Sequence, residues 1–299
     1  MKLRLAKNGP DFFVVGAAKS GTTSLWHYLS QHPDIYVNSN PKELGYFSEF
    51  YGISKYSEYL SYFDEAKDNQ TIGEVCHAYL SCKNASQKIF EYNKNSKIII
   101  ILRNPISRAQ SLYDWMVYHG YESSGTFHQA FMKEKQRSKN YIELNSIFYY
   151  QNFLYANSGL YYQQIKRYYN LFPAERIKIY LYEDFFKPPC KIQDLFNFLE
   201  VNPNFQVLDD KPKNVSPFIR NPKYYYYIKN SFINKCDSFY IPRRLAYKLQ
   251  NSLLKKLVTK QSRRPLGDEL EKELKLFFRD DVFRLSDLTG INFKDLWGF

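Results

Sequence analysis

An apolar run, Phe12-Phe13-Val14-Val15, leads into Gly16-Ala17-Ala18-Lys19-Ser20-Gly21-Thr22-Thr23-Ser24 and then into the amphipathic run Leu25-Trp26-His27-Tyr28-Leu29. Strand, glycine-containing loop and helix in that order form the layout of a phosphate-binding loop. In a nucleotide triphosphatase this loop reads G-x-x-x-x-G-K-[ST], with the lysine directly after the second glycine and the next hydroxyl on magnesium. Here Thr22 follows Gly21, and the loop's lysine, Lys19, comes two residues before that glycine. Backbone amides at the helix start can still cradle an anion. Thr22, Thr23 and Ser24 add hydroxyl donors, and Lys19 is placed for a leaving phosphate rather than for a metal-bound one. A turn of this composition that binds nothing is the bland alternative. The strand, glycines, lysine and hydroxyl run standing together argue against it.

A second segment has the same logic. Lys97-Ile98-Ile99-Ile100-Ile101-Leu102 is an unbroken β-branched run, the pattern of a fully buried parallel strand. In an ATPase such a strand ends in an acidic residue for magnesium; here it ends in Arg103. Ser111 lies eight residues on, in the expected following helix. Both can reach one phosphate group, the arginine as a bidentate donor. Alone, Arg103 reads as a surface or capping residue; beside the first loop it reads as a cation standing where a metal ligand would be.

These two motifs resemble the 5′-phosphosulfate-binding loop and the 3′-phosphate-binding motif of the sulfotransferase family. The resemblance implies 3′-phosphoadenosine 5′-phosphosulfate (PAPS) as donor and no metal, with Lys19, Ser20, Gly21, Thr22, Thr23, Ser24, Arg103 and Ser111 binding the nucleotide. It also implies an α/β fold: one domain over residues 1–299, with a central parallel sheet flanked by helices and a P-loop-like nucleotide site. His32-Pro33-Asp34 followed by Lys42-Glu43-Leu44-Gly45-Tyr46-Phe47 resembles the segment that supplies a catalytic glutamate in the heparan-sulfate and related bacterial branches. Glu43 is the candidate base, with Lys19 assisting at the leaving group and Lys42 and Tyr46 near the acceptor. His77 is the rival base, because cytosolic members use histidine. Its context, Gly73-Glu74-Val75-Cys76-His77-Ala78-Tyr79, resembles an acceptor-side stretch that often carries a lysine where this chain has Val75. Family members close the nucleotide site with a later loop, which implicates Lys213, Asn214 and Arg220, although the usual Lys-Gly-Arg form is absent.

The rest of the chain fits this frame. No linker or solenoid repeat divides its 299 residues. Met1 to Asn8 is too short and polar for a signal peptide, and no apolar stretch approaches a membrane span. A cytoplasmic location is therefore expected. Cys76, Cys82, Cys190 and Cys236 have no metal-type spacing and read as free thiols, with a Cys76–Cys82 disulfide as the alternative. The formal net charge is +12. Much of it lies between Lys229 and Arg264, where Leu245, Leu249, Leu253, Leu254 and Leu257 recur at helical spacing. That stretch reads as a basic amphipathic helix over about 243–260, either solvated with its leucines on the core or facing an anionic partner. An anionic saccharide, a secondary-metabolite alcohol and an acidic membrane surface are the partners considered; nucleic acid is not expected, since no nucleic-acid-binding motif occurs.

Two other classes stay open at this level. A P-loop kinase or hydrolase lacks its post-glycine lysine and strand-end acid here. A nucleotide-binding protein without catalysis would have no use for Lys19, Arg103, Ser111 and Glu43 together.

Overall fold

The computed structural model describes residues 9–137, 152–187, 191–209, 217–238, 242–259 and 265–299. The chain forms two compact units, one of Met1–Asn104, Leu160–Asn214 and Asp281–Phe299, the other of Pro105–Gly159 and Val215–Asp280.

The first unit is built on a five-stranded sheet of order β2-β3-β1-β4-β5. The strands are β1 (Phe12–Gly16), β2 (Ile35–Val37), β3 (Thr71–Val75), β4 (Lys97–Leu102) and β5 (Ile177–Leu181). Every pairing is parallel. Ile98 to Leu102 are all fully buried, which is why β4 reads as an unbroken apolar run rather than an alternating one. Helices α1 (Thr22–Leu29) and, later in the chain, Ile192–Leu199 press Leu25, Leu29, Leu195, Phe196 and Leu199 onto one face. From β1 the chain goes to the edge strand β2, returns to β3 beside β1, then crosses to β4 and β5 on the other side of β1. The reversal lies between β1 and β4, and open parallel sheets bind ligands at the carboxyl ends of the strands at such a point. The phosphate loop and Arg103 follow those two strands.

Short helices α2 (Tyr56–Ser61), α3 (Ala78–Ser81) and α4 (Ala85–Tyr92) flank β3 in sequence. Cys76 and Cys82 are buried free thiols, so the disulfide alternative does not form; Cys190 and the side chain of Cys236 lie outside the described residues.

The second unit holds α5 (Pro105–His119), α6 (Phe127–Arg137), a two-stranded antiparallel pair Phe218–Ile219 with Val258–Thr259, and two long helices. The basic helix expected over about 243–260 forms as Arg243–Leu257, starting behind Pro242, and it pairs in a hairpin with the preceding helix Pro222–Ser238. Its leucine stripe is only partly covered: Leu253, Leu254 and Leu257 are half-buried. The buried residues are Ala246 and Gln250, while Leu245 and Leu249 are 50% and 44% exposed. The small Ala246 allows close approach of the two helices, and Gln250 Nε2 donates to the Ile228 carbonyl at 2.8 Å.

Candidate active site

β1 ends at Gly16, and the Ala17 amide donates to the Ile101 carbonyl at 2.7 Å, fixing the start of the loop to β4. Lys19 takes a left-handed φ of 65°. Gly21 (φ 89°) caps α1, and a Cβ there would lie 2.5 Å from the Phe186 ring, so glycine is required by both conformation and space. The opening amides of α1 have no intrahelical acceptor. Thr22 and Ser24 are buried beside them. Ser20 is fully buried, and its hydroxyl has no hydrogen-bond partner among the described residues. Such an orphan costs about 1–3 kcal/mol. Aligned amides, an unmatched buried hydroxyl and a lysine fit the phosphate of a nucleotide donor.

Arg103 is brought onto this loop. Its Nη1 donates to the Lys19 carbonyl at 3.3 Å, and its guanidinium lies 4.5 Å from the centre of the Tyr182 ring. Its own carbonyl accepts the Tyr161 hydroxyl at 3.0 Å. Ser111 sits buried on α5, in the second unit. Arg220 follows the short strand Phe218–Ile219 and lines a cavity of the second unit together with Gln110, Asp114 and His128. Lys213 and Asn214 lie outside the described residues.

Glu43 is carried by an irregular segment folded on itself, with the Ile53 amide donating to the Leu44 carbonyl at 3.0 Å. Glu43 Oε1 receives Lys42 Nζ at 2.7 Å and His77 Nδ1 at 2.6 Å, and Oε2 receives the Tyr51 hydroxyl at 2.6 Å. Lys42 Nζ is also 3.4 Å from Thr23 Oγ1, so it joins this cluster to α1. Burial alone would raise the Glu43 carboxyl; the charges of His77 and Lys42 outweigh it and hold the group well below the usual carboxylate range. Burial and the neighbouring Cys76 and Glu43 push the Tyr51 phenol up, so Tyr51 stays a donor. Each carboxylate oxygen offers about two acceptor sites. Among the described residues Oε1 is filled and Oε2 keeps one site for a hydroxyl proton. The two rival bases of the sequence are thus hydrogen-bonded to each other. Tyr46 stacks on Tyr59, with ring centres 4.6 Å apart.

Glu74 was not singled out by its sequence context. It is fully buried on β3 and accepts the hydroxyls of Tyr59 at 2.7 Å and Tyr79 at 2.6 Å, together with the Gly45 amide. It thereby ties β3 to the segment that carries Glu43. Burial pushes its carboxyl from 4.5 up to about 7, despite the lowering effect of those hydrogen bonds. The folded state therefore holds this proton more tightly than the unfolded chain. The stability it confers is full below about 4.5 and is lost as pH rises through about 7. Urea unfolding from pH 5 to 7 should show wild-type stability falling relative to Glu74→Gln. A constant difference across that window would contradict the assignment.

A family model described as the sulfotransferase domain matches residues 9–234. The chain belongs to the sulfotransferase family. A crystal structure of a sulfotransferase from Alicyclobacillus acidocaldarius superposes with a TM-score of 0.72 at 28% identity, covering 97% of this chain and 99% of that one. Among curated relatives, the membrane-associated sulfotransferase kil1 of Dictyostelium discoideum is 26% identical over 282 residues, covering 69% of this chain and 59% of kil1. Human heparan sulfate glucosamine 3-O-sulfotransferase 6 is 31% identical over 106 residues, covering 35% of this chain and 30% of that protein. The sulfotransferase described here thus spans less than two thirds of each of these curated relatives. No helix among its described residues is long and apolar enough to cross a membrane.

Proposed function

We propose that this sulfotransferase transfers a sulfuryl group from PAPS to a hydroxyl or amine of a carbohydrate, with Glu43 as the base and no metal ion. The observation that carries the reading is the pair of contacts around the loop: Arg103 donates to the Lys19 carbonyl, and Lys42 bridges Thr23, in the first turn of α1, to Glu43. PAPS supplies an activated sulfuryl group, whose bond to the 5′-phosphate breaks as a bond to the acceptor oxygen or nitrogen forms. Lys19 and the amides opening α1 neutralise the departing 5′-phosphate, in the manner of phosphoryl transfer, where positioning and electrostatics dominate, and Arg103 holds the 3′-phosphate. Glu43 Oε2 accepts the acceptor's proton. The 2.6 Å contact between Glu43 and His77 supports a second reading, in which His77 Nε2 takes that proton and Glu43 orients the ring through Nδ1.

The carbohydrate assignment rests on the glutamate-type segment and on relatives named for heparan sulfate. Incubation with radiolabelled PAPS and a panel of saccharides, lipids and alcohols, in the presence of a metal chelator, tests it. Label should enter a saccharide. Label only in a lipid or alcohol would move the acceptor class, and phosphate transfer from labelled magnesium ATP in a parallel incubation without chelator, with none from PAPS, would overturn the reaction.

The helix Arg243–Leu257 presents Arg244, Lys248 and Lys255 to solvent beside the exposed Leu245, Tyr247 and Leu249. Exposed leucines beside cations suit the boundary of an anionic bilayer better than a polysaccharide, and the Dictyostelium relative is named as membrane-associated. Reversing Lys248, Lys255 and Lys256 to glutamate should abolish binding to phosphatidylserine vesicles while leaving nucleotide binding intact. The wild-type binding should weaken with salt, because exposed charges are screened over about 8 Å at physiological ionic strength. Vesicle binding that survives the reversal would leave this helix as an ordinary solvated surface.

A further inference from the structure

Lys42 stands between the two chemical halves of the site. Its ammonium is 2.7 Å from Glu43 Oε1 and 3.4 Å from the hydroxyl of Thr23, which lies in the first turn of α1, beside the loop. Its side chain is only 17% exposed, so protein groups rather than bulk water set where the charge sits. An ammonium has three donors on a flexible stem. The Thr23 contact is long and to a neutral group; the Glu43 contact is short and charge-assisted. Glu43 does not depend on Lys42 alone, because His77 donates to the same oxygen. On the acceptor side, position 75, where a lysine is expected by resemblance, is a fully buried valine. Lys42 is therefore a cation, beside Lys19 and Arg103, placed to reach an anionic group bound ahead of α1 without leaving its own position in the chain.

We infer that Lys42 receives the sulfuryl group of the donor and, in doing so, leaves Glu43, so that the carboxylate becomes a stronger base only once the donor is bound. The inference rests on the PAPS reading above. Without donor, Lys42 and His77 on Oε1 keep Glu43 ionised but a weak proton acceptor. Sulfuryl oxygens at the loop compete with Glu43 for the same ammonium. Each cation withdrawn from a carboxylate raises its affinity for a proton. The coupling is reciprocal, as linkage requires: a carboxylate that holds Lys42 back weakens donor binding, and removing that carboxylate strengthens it.

This reciprocity gives a test that needs no acceptor and no turnover. Calorimetric affinities for PAPS and for adenosine 3′,5′-bisphosphate, which lacks the sulfuryl group, are measured in wild type, Lys42→Met, Glu43→Gln and the double variant. Lys42→Met should weaken PAPS binding by about tenfold or more, the usual effect of one charge-assisted hydrogen bond. It should leave the bisphosphate nearly unchanged, which also shows that the variant is folded. Glu43→Gln should tighten PAPS several-fold and leave the bisphosphate unchanged. In the double variant that tightening should vanish, because the freed lysine is gone. A Glu43→Gln variant that binds PAPS no tighter than wild type, or a Lys42→Met variant that weakens both ligands equally, overturns the inference while the donor reading stands. Failure of wild type to bind either nucleotide overturns both.

Discussion

Replacing Glu43 with glutamine is expected to lower turnover by about 10²–10⁴-fold, the usual contribution of a positioned base, while binding of adenosine 3′,5′-bisphosphate stays at the wild-type level. Glutamine keeps the shape of the side chain but cannot take a proton from the acceptor. The variant should fold, since the segment around it is held by other groups: the Ile53 amide on the Leu44 carbonyl, and Glu74 on the Gly45 amide. His77→Ala should cost less, because Glu43 keeps Lys42 on Oε1 and Tyr51 on Oε2. Steady-state kinetics with the saccharide identified by radiolabelled transfer decides the matter. If His77→Ala abolishes transfer and Glu43→Gln remains active, His77 is the base and Glu43 the group that orients it.

Arg103→Ala should cost about 2–5 kcal/mol of bisphosphate binding, the range found when one partner of a buried, hydrogen-bonded charge pair is removed. Two contacts hold the guanidinium on the loop, the Lys19 carbonyl and the Tyr182 face, so little side-chain freedom remains to be lost when an anion arrives. The measurement pairs adenosine 3′,5′-bisphosphate with adenosine 5′-monophosphate. If Arg103 reads the 3′-phosphate, the loss falls on the first ligand and leaves the second nearly untouched. Equal losses would place Arg103 at the 5′-phosphate, on the loop itself.

What the sequence made legible was whatever has a local period or a fixed spacing. The apolar runs before Gly16 and Arg103 are β1 and β4, adjacent and parallel, because a strand covered on both faces must be apolar throughout. Lys19, Gly21 and Arg103 could be singled out because the loop's geometry is set within a few residues. The segment Ile35–Val37 is too short to show a strand period, yet it forms the sheet edge. Tyr51 reaches Glu43 through a fold-back of the irregular segment, which no spacing announces. Glu74 is one acidic residue in a short strand, and its importance depends on Tyr59 and Tyr79, which tertiary packing delivers. The leucines of the basic helix left its buried face open for a related reason. Helical spacing shows that a stripe exists, while the partner helix decides which residues are buried: Ala246 and Gln250 are, and the leucines are half-buried or exposed.

The donor assignment underlies every step of this account, and the most direct test of it is thermal unfolding in the presence of a metal chelator. A ligand that binds only the folded state at about a hundred times its Kd adds about 2.7 kcal/mol of stability. Adenosine 3′,5′-bisphosphate at saturating concentration should therefore raise Tm by several degrees without any metal. ATP with magnesium, tested in parallel without chelator, should do much less, because it lacks the 3′-phosphate proposed for Arg103. Equal stabilisation by the two ligands, or stabilisation by magnesium ATP alone, would contradict the account.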